Sequence, residues 1–127
     1  MIVLDASALL SLLHREAVWE VVAGACAAHS ATLSAVNYAE VVQKAAQHGV
    51  GAEDVDAALE ALGITVSSFG RLDARLAASF YRHRSGLSLG DRVCLALARS
   101  LSSPAFTADR DWQRWAEDLG VDVRVIR

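Results

Sequence analysis

Short apolar runs alternate with helix-periodic segments along the whole of this chain, and that order leaves few folds open. Met1-Ile2-Val3-Leu4, Ala31-Thr32-Leu33-Ser34, Ile64-Thr65-Val66 and Ala105-Phe106-Thr107 are too short for helices and suit strands of a covered parallel sheet. Between them, apolar residues recur at helical spacing over 8–13, 16–28, 35–48 and 53–62. Further helices run through Leu72, Leu76 and Phe80 to Tyr81-Arg82-His83-Arg84-Ser85-Gly86, from the cap Ser88 to Leu101, and over 109–119. Val121, Val123 and Val125 then alternate with Asp122 and Arg124, as a strand near a sheet edge does. The prediction is a single domain over 1–127: a three-layer α/β/α sandwich with a mainly parallel central sheet of about five strands.

Composition narrows the function. An apolar share of 54% suits a sheet covered on both faces, with surface left for a subunit interface. No apolar run approaches a bilayer's thickness, and Asp5 interrupts the N-terminal run where a secretory signal would need to continue. Cys26 and Cys94 fall in apolar helical patterns and read as small core residues in a reducing, cytoplasmic setting. A net charge of −3 and a pI near 5.7 argue against gripping nucleic acid by bulk positive field. They weigh less against a site whose carboxylates surround a cation, because a bound ion reverses the local sign. Lys44 is the single lysine among twelve basic residues.

Four acids stand where apolar segments meet. Asp5 ends the first strand and Asp109 follows the fourth, each just before a helix, where open α/β sheets bind ligands. If the first and fourth strands are neighbours where strand order reverses, those two carboxylates converge. Glu40 lies within an apolar helix, either paired with Lys44 at i,i+4 or turned with Asn37 and Lys44 into a polar cleft. Asp91 follows Ser88 by three residues in Leu87-Ser88-Leu89-Gly90-Asp91, close to a capping box. Each acid alone is explained by capping or solvation. Together they suggest one acidic pocket, and clustered carboxylates persist chiefly to bind a cation or hold protons. Oxygen ligands of this kind suit Mg²⁺ or Mn²⁺; the four histidines have no zinc-type spacing.

Val3-Leu4-Asp5-Ala6-Ser7-Ala8-Leu9, Glu40 in a Ser-initiated helix, Leu87-Ser88-Leu89-Gly90-Asp91 and Thr107-Ala108-Asp109-Arg110-Asp111-Trp112, in that order, resemble the PIN-domain ribonucleases. At this length the chain is most similar to the VapC-type toxins of toxin–antitoxin pairs. The resemblance implies a Mg²⁺- or Mn²⁺-dependent endoribonuclease with metal ligands at Asp5, Glu40, Asp91 and Asp109. It places supporting hydroxyls at Ser7 and Thr107 and an accessory acid at Asp111. It also implies a homodimer, and an antitoxin whose C-terminal segment fills the cleft. Gly90 stands where the family more often has Ala, and Asn37 where a hydroxyl residue is commoner.

The expected chemistry is attack of a metal-activated water on phosphorus, leaving 5′-phosphate and 3′-hydroxyl ends. Arg82, Arg84, Arg92 and Arg110 are the candidate RNA-backbone contacts. Trp112 and Trp115 read as core residues before base-stacking platforms. The rivals are a non-catalytic PIN-like module binding RNA or protein, and a housekeeping nuclease without an antitoxin. A haloacid-dehalogenase-like phosphatase is set aside because it needs an acid two residues after the nucleophile, where this chain has Ser7.

Overall fold

A computed structural model describes all residues, 1–127. Five strands form one parallel sheet: β1 (Ile2–Leu4), β2 (Ala31–Ser34), β3 (Ile64–Ser67), β4 (Ala105–Thr107) and β5 (Val123–Val125). Their order is β3-β2-β1-β4-β5. The chain therefore steps outward in one direction from β1 through β2 to β3, then returns to β1's other side for β4 and β5. The reversal falls between β1 and β4, which are paired through Val3 with Ala105 and Leu4 with Phe106.

Seven α-helices cover the two faces: α1 (Ala6–Leu13), α2 (Trp19–Ala28), α3 (Ala35–Gln47), α4 (Ala52–Leu62), α5 (Arg71–Ser79), α6 (Leu89–Ser100) and α7 (Gln113–Leu119). The period-2 alternation of strand side chains sorts the core into two halves. Ile2, Leu4, Leu33 and Phe106 pack with α1 to α4, whereas Val3, Ala105 and Val123 pack with α5, α6 and α7. With both faces covered, every residue of β1, β2 and β4 is buried. β5 is an edge strand, and Arg124, pointing away from the core, forks onto Asp122 at 2.7 and 2.9 Å.

Three helices differ from their sequence-based bounds. The one expected to run on into Tyr81–Gly86 stops at Ser79 with Phe80 as its C-cap, and Arg84 and Gly86 take positive φ (55° and 78°) in the turns that follow. The helix expected over 16–28 begins at Trp19, because Arg15 and Val18 adopt positive φ (49° and 61°) and make a tight turn after α1. The helix expected over 109–119 opens as a 3-10 turn, Arg110–Trp112, before α7. The tighter winding goes with full burial of the Trp112 indole against the sheet. No helix is long and apolar enough to cross a membrane.

Candidate active site

A helix that follows a parallel strand runs back across the sheet, so the helix N-termini gather at the carboxyl edge of the strands. That places Asp5 after β1, Asp109 after β4, Asp91 in the first turn of α6 and Glu40 on α3, which follows β2 directly, along that edge.

Asp5 is only 6% exposed and caps α1. Its Oδ1 accepts from the Ala8 amide at 2.8 Å and from Ser7 Oγ at 2.7 Å, and its Oδ2 accepts from Thr107 Oγ1 at 2.6 Å. Two hydroxyls also tie the end of β4 to this carboxylate. Thr107 Oγ1 accepts from the Asp109 amide at 3.0 Å, and Ser7 Oγ accepts from the Ala108 amide at 2.9 Å. Ser7 and Thr107 thus stitch the two sides of the switch point together, 100 residues apart in sequence.

Burial raises the Asp5 pKa from the ordinary 3.8 to about 6; the hydrogen bonds from Thr107, Ala8 and Ser7 oppose the shift, and the charge of Asp91 adds to it. Asp91 is likewise raised, first by burial, against its two bonds to Ser88 and with repulsion from Asp109 and Glu40. Beneath them the buried Cys94 thiol is held well above its usual range by burial and by the fields of Asp5, Asp91 and Glu40. The charges of these acids are therefore felt by one another around the buried Asp5, while Asp91 and Glu40 are half-buried and Asp109 is exposed.

The capping explanations of the acids also hold. Asp91 Oδ2 accepts from the Ser88 amide at 2.9 Å while Ser88 Oγ accepts from the Asp91 amide at 3.1 Å, a complete capping box. Asp109 Oδ1 accepts from the Asp111 amide at 2.9 Å. Each of these bonds uses one carboxylate oxygen and leaves the other free. Asp111 itself is exposed.

Glu40 does not pair with Lys44; its Oε1 accepts from Asn37 Nδ2 at 2.8 Å. The same Nδ2 donates to the Gly90 carbonyl at 3.1 Å, so the buried Asn37 links α3 to the first turn of α6. A Cβ built on Gly90 would lie 2.7 Å from Glu40 Oε1. Glycine is what lets the Glu40 carboxylate settle against α6. Gly90→Ala should therefore displace Glu40 while improving helix propensity by about 1 kcal/mol. The expected result is a Tm a few degrees higher, with divalent-ion affinity reduced by isothermal titration; unchanged affinity would remove Gly90 from the seating of Glu40.

Hard oxygen donors, free carboxylate oxygens and a buried, self-repelling charge fit Mg²⁺ or Mn²⁺. As they stand, no three His, Cys, Asp or Glu side chains are close enough together to hold an ion.

The arginines divide. Arg82 is committed to Asp118 at 2.9 Å and to the carbonyls of Ser79 and Tyr81. Arg92 lies with its guanidinium carbon 5.5 Å from the Tyr81 ring centroid, its Nε buried without a partner. Arg84 and Arg110 are exposed. Trp112 is fully buried and Trp115 partly so, both packing on the α7 side of the core. Sequence reasoning missed Cys94's place under the acids and the approach of His14 to His48, whose ring centroids are 4.6 Å apart. Both are contacts between elements distant in sequence, and no local pattern announces them.

A parallel α/β sheet whose switch point carries a buried carboxylate, stitched to the neighbouring strand by two hydroxyls, defines the class of fold. Residues 2–118 match the family model of the PIN domain, and the chain belongs to that family, whose members are nucleases. No curated protein matches the sequence significantly. Among solved structures, one chain of a toxin–antitoxin complex from Klebsiella pneumoniae is similar with a TM-score of 0.71 at 18% identity, covering 100% of this chain and 98% of that one. FitAcB from Neisseria gonorrhoeae is similar at 0.69 and 22%, covering 99% and 98%. A PilT N-terminus domain protein from the archaeon Sulfolobus solfataricus is similar at 0.63 and 20%, covering 98% and 86%. At these identities the likeness carries the fold.

Proposed function

We propose that the chain is a Mg²⁺- or Mn²⁺-dependent endoribonuclease and the toxin of a toxin–antitoxin pair. The observation that carries this reading is the Asp5–Thr107–Asp109 bridge across the switch point, with Asp91 and Glu40 in its electrostatic reach. Asp5, Glu40, Asp91 and Asp109 would hold the ion, which supplies a more acidic water and a positive field for the phosphoryl oxygens. Ser7 and Thr107 fix the Asp5 carboxylate in one orientation, so it need not reorganise during reaction. Arg92 and Arg110, each next in sequence to one of the acids, and Arg84 would meet backbone phosphates; Arg82 would first have to leave Asp118. Cleavage that does not use the ribose 2′-hydroxyl leaves 5′-phosphate and 3′-hydroxyl ends.

The toxin–antitoxin neighbours support a protein antitoxin as partner, and a homodimer completes the proposal. A non-catalytic module is favoured by one fact: each of the four acids already accepts a hydrogen bond from within the chain. Incubating the purified protein with structured and unstructured RNA, with Mn²⁺ or with chelator, separates the two. Cleavage only with the ion, with products that are substrates for 5′-phosphate-dependent exonuclease, is the expected outcome. Intact RNA at every ion concentration would leave only the binding module.

A further inference from the structure

Beside the carboxylates, on the α1 and α3 side, lies a cavity of about 280 Å³ that the proposed chemistry does not use. Its inner wall is Ser7 and Ala108, the two residues whose hydrogen bond closes the Asp5 network. Its other walls carry His14, Lys44, His48 and Arg127, with Glu16 as the one acid. The chain's two ion pairs are Arg82–Asp118 and Arg124–Asp122, so neither Lys44 nor Arg127 makes a contact ion pair with Glu16 or with another acid.

The placement of these groups follows from the fold. His14 ends α1 and His48 ends α3, and the packing of those helices brings the rings to 4.6 Å between centroids, tilted by 50°. His48 Nδ1 lies 3.0 Å from the Lys44 carbonyl. The N–H that donates there turns Nε2 away from the helix end. Both rings can donate an N–H to an anion's oxygen from this spacing. Lys44 stands one helical turn beyond Glu40 on α3, about 6 Å along the axis. Two cations against one acid therefore line a cavity beside the carboxylates, in a protein of net charge −3.

We infer that this cavity is a subsite for one backbone phosphate of single-stranded RNA, a neighbour of the phosphate presented to Asp5 and Asp109. The inference rests on the nuclease reading for its substrate. It adds the flank along which the strand leaves the crevice. Carboxylates alone repel a polyanion; fixed cations on one side hold the strand and set its register.

The test is made in chelator, so that binding is read without cleavage. Fluorescence anisotropy follows a short RNA over 50–250 mM salt with the full-length wild type, with Lys44→Ala/His48→Gln and with Arg127→Ala, which removes an exposed side chain outside every helix and strand. Both variants should weaken binding about tenfold and flatten the salt dependence by about one phosphate contact. Single neutral methylphosphonate links are then moved along the RNA. One position should weaken wild-type binding, and the double variant should be indifferent to it. Unchanged affinity in both variants, or no such position, overturns the inference. So does an equal response of the His14 and His48 ring signals to inorganic phosphate and to RNA, which would mark a site for free anions. Should RNA bind through the cavity yet stay uncut with Mn²⁺, the nuclease reading falls and the subsite stands.

Discussion

Asp5→Asn should reduce ion-dependent RNA cleavage by about 10²–10³-fold, the scale on which loss of one preorganised electrostatic group acts. The same substitution should raise stability in the absence of metal. Burial lifts the Asp5 pKa from 3.8 to about 6, so at neutral pH the folded protein carries an ionised carboxylate it holds less well than the unfolded chain does. That shift corresponds to on the order of 2–3 kcal/mol. Against it, the Asn amide nitrogen cannot accept from Thr107 Oγ1, which costs about 1 kcal/mol.

The sign fixes the pH dependence. Because the folded pKa lies above the unfolded one, the folded state takes up the proton first as pH falls from about 6 towards 3.8. Wild-type stability should therefore gain on that of Asp5→Asn over this window. Thermal melts in chelator at pH 7.5 and pH 4.5 should show the variant ahead by several degrees at the higher pH and the gap closing at the lower. A wild type ahead at both would mean that the N-cap, not the charge, governs this position.

Trp112→Ala should cost about 3–5 kcal/mol, read as a fall in urea midpoint, because it empties a fully buried aromatic site. The indole belongs to the buried cluster that includes Val3, Ala105, Leu119 and Val123, and it lies in the 3-10 turn that Asp109 caps. Its loss should loosen Asp109 and reduce cleavage even where the protein remains folded. Trp112→Phe should cost much less, since the buried indole Nε1 has no hydrogen-bond partner and removing it relieves a penalty of about 1–3 kcal/mol. Equal costs for the two substitutions would mean that volume at this position is unimportant.

Strand order shows how far local sequence reaches. Val3-Leu4-Asp5 and Phe106-Thr107-Ala108-Asp109 each announce a buried strand running into a helix, and both elements are present. That the two strands are neighbours was only a condition in the sequence. The pairing of Leu4 with Phe106 supplies it. Asp91 was legible as a capping acid and Glu40 as an acid on an apolar helix, because both patterns lie within one or two turns. The hand-off of Glu40 from Lys44 to Asn37 was open until α6 arrived, since Gly90 provides the space and a carbonyl that Asn37 also binds. The cavity beside the carboxylates was not legible at all: His14 and His48 are 34 residues apart in number and meet only because α1 and α3 pack side by side.

The sequence by itself determined the elements, their polarity and the caps, because hydrophobic period and hydrogen-bonding side chains act within a few residues. Only the tertiary structure decided which acids come within reach of one another and that Asp5 and Asp91 resist ionisation. Desolvation and charge repulsion depend on distance through space, and for acids on separate elements that distance is set by the packing of the sheet.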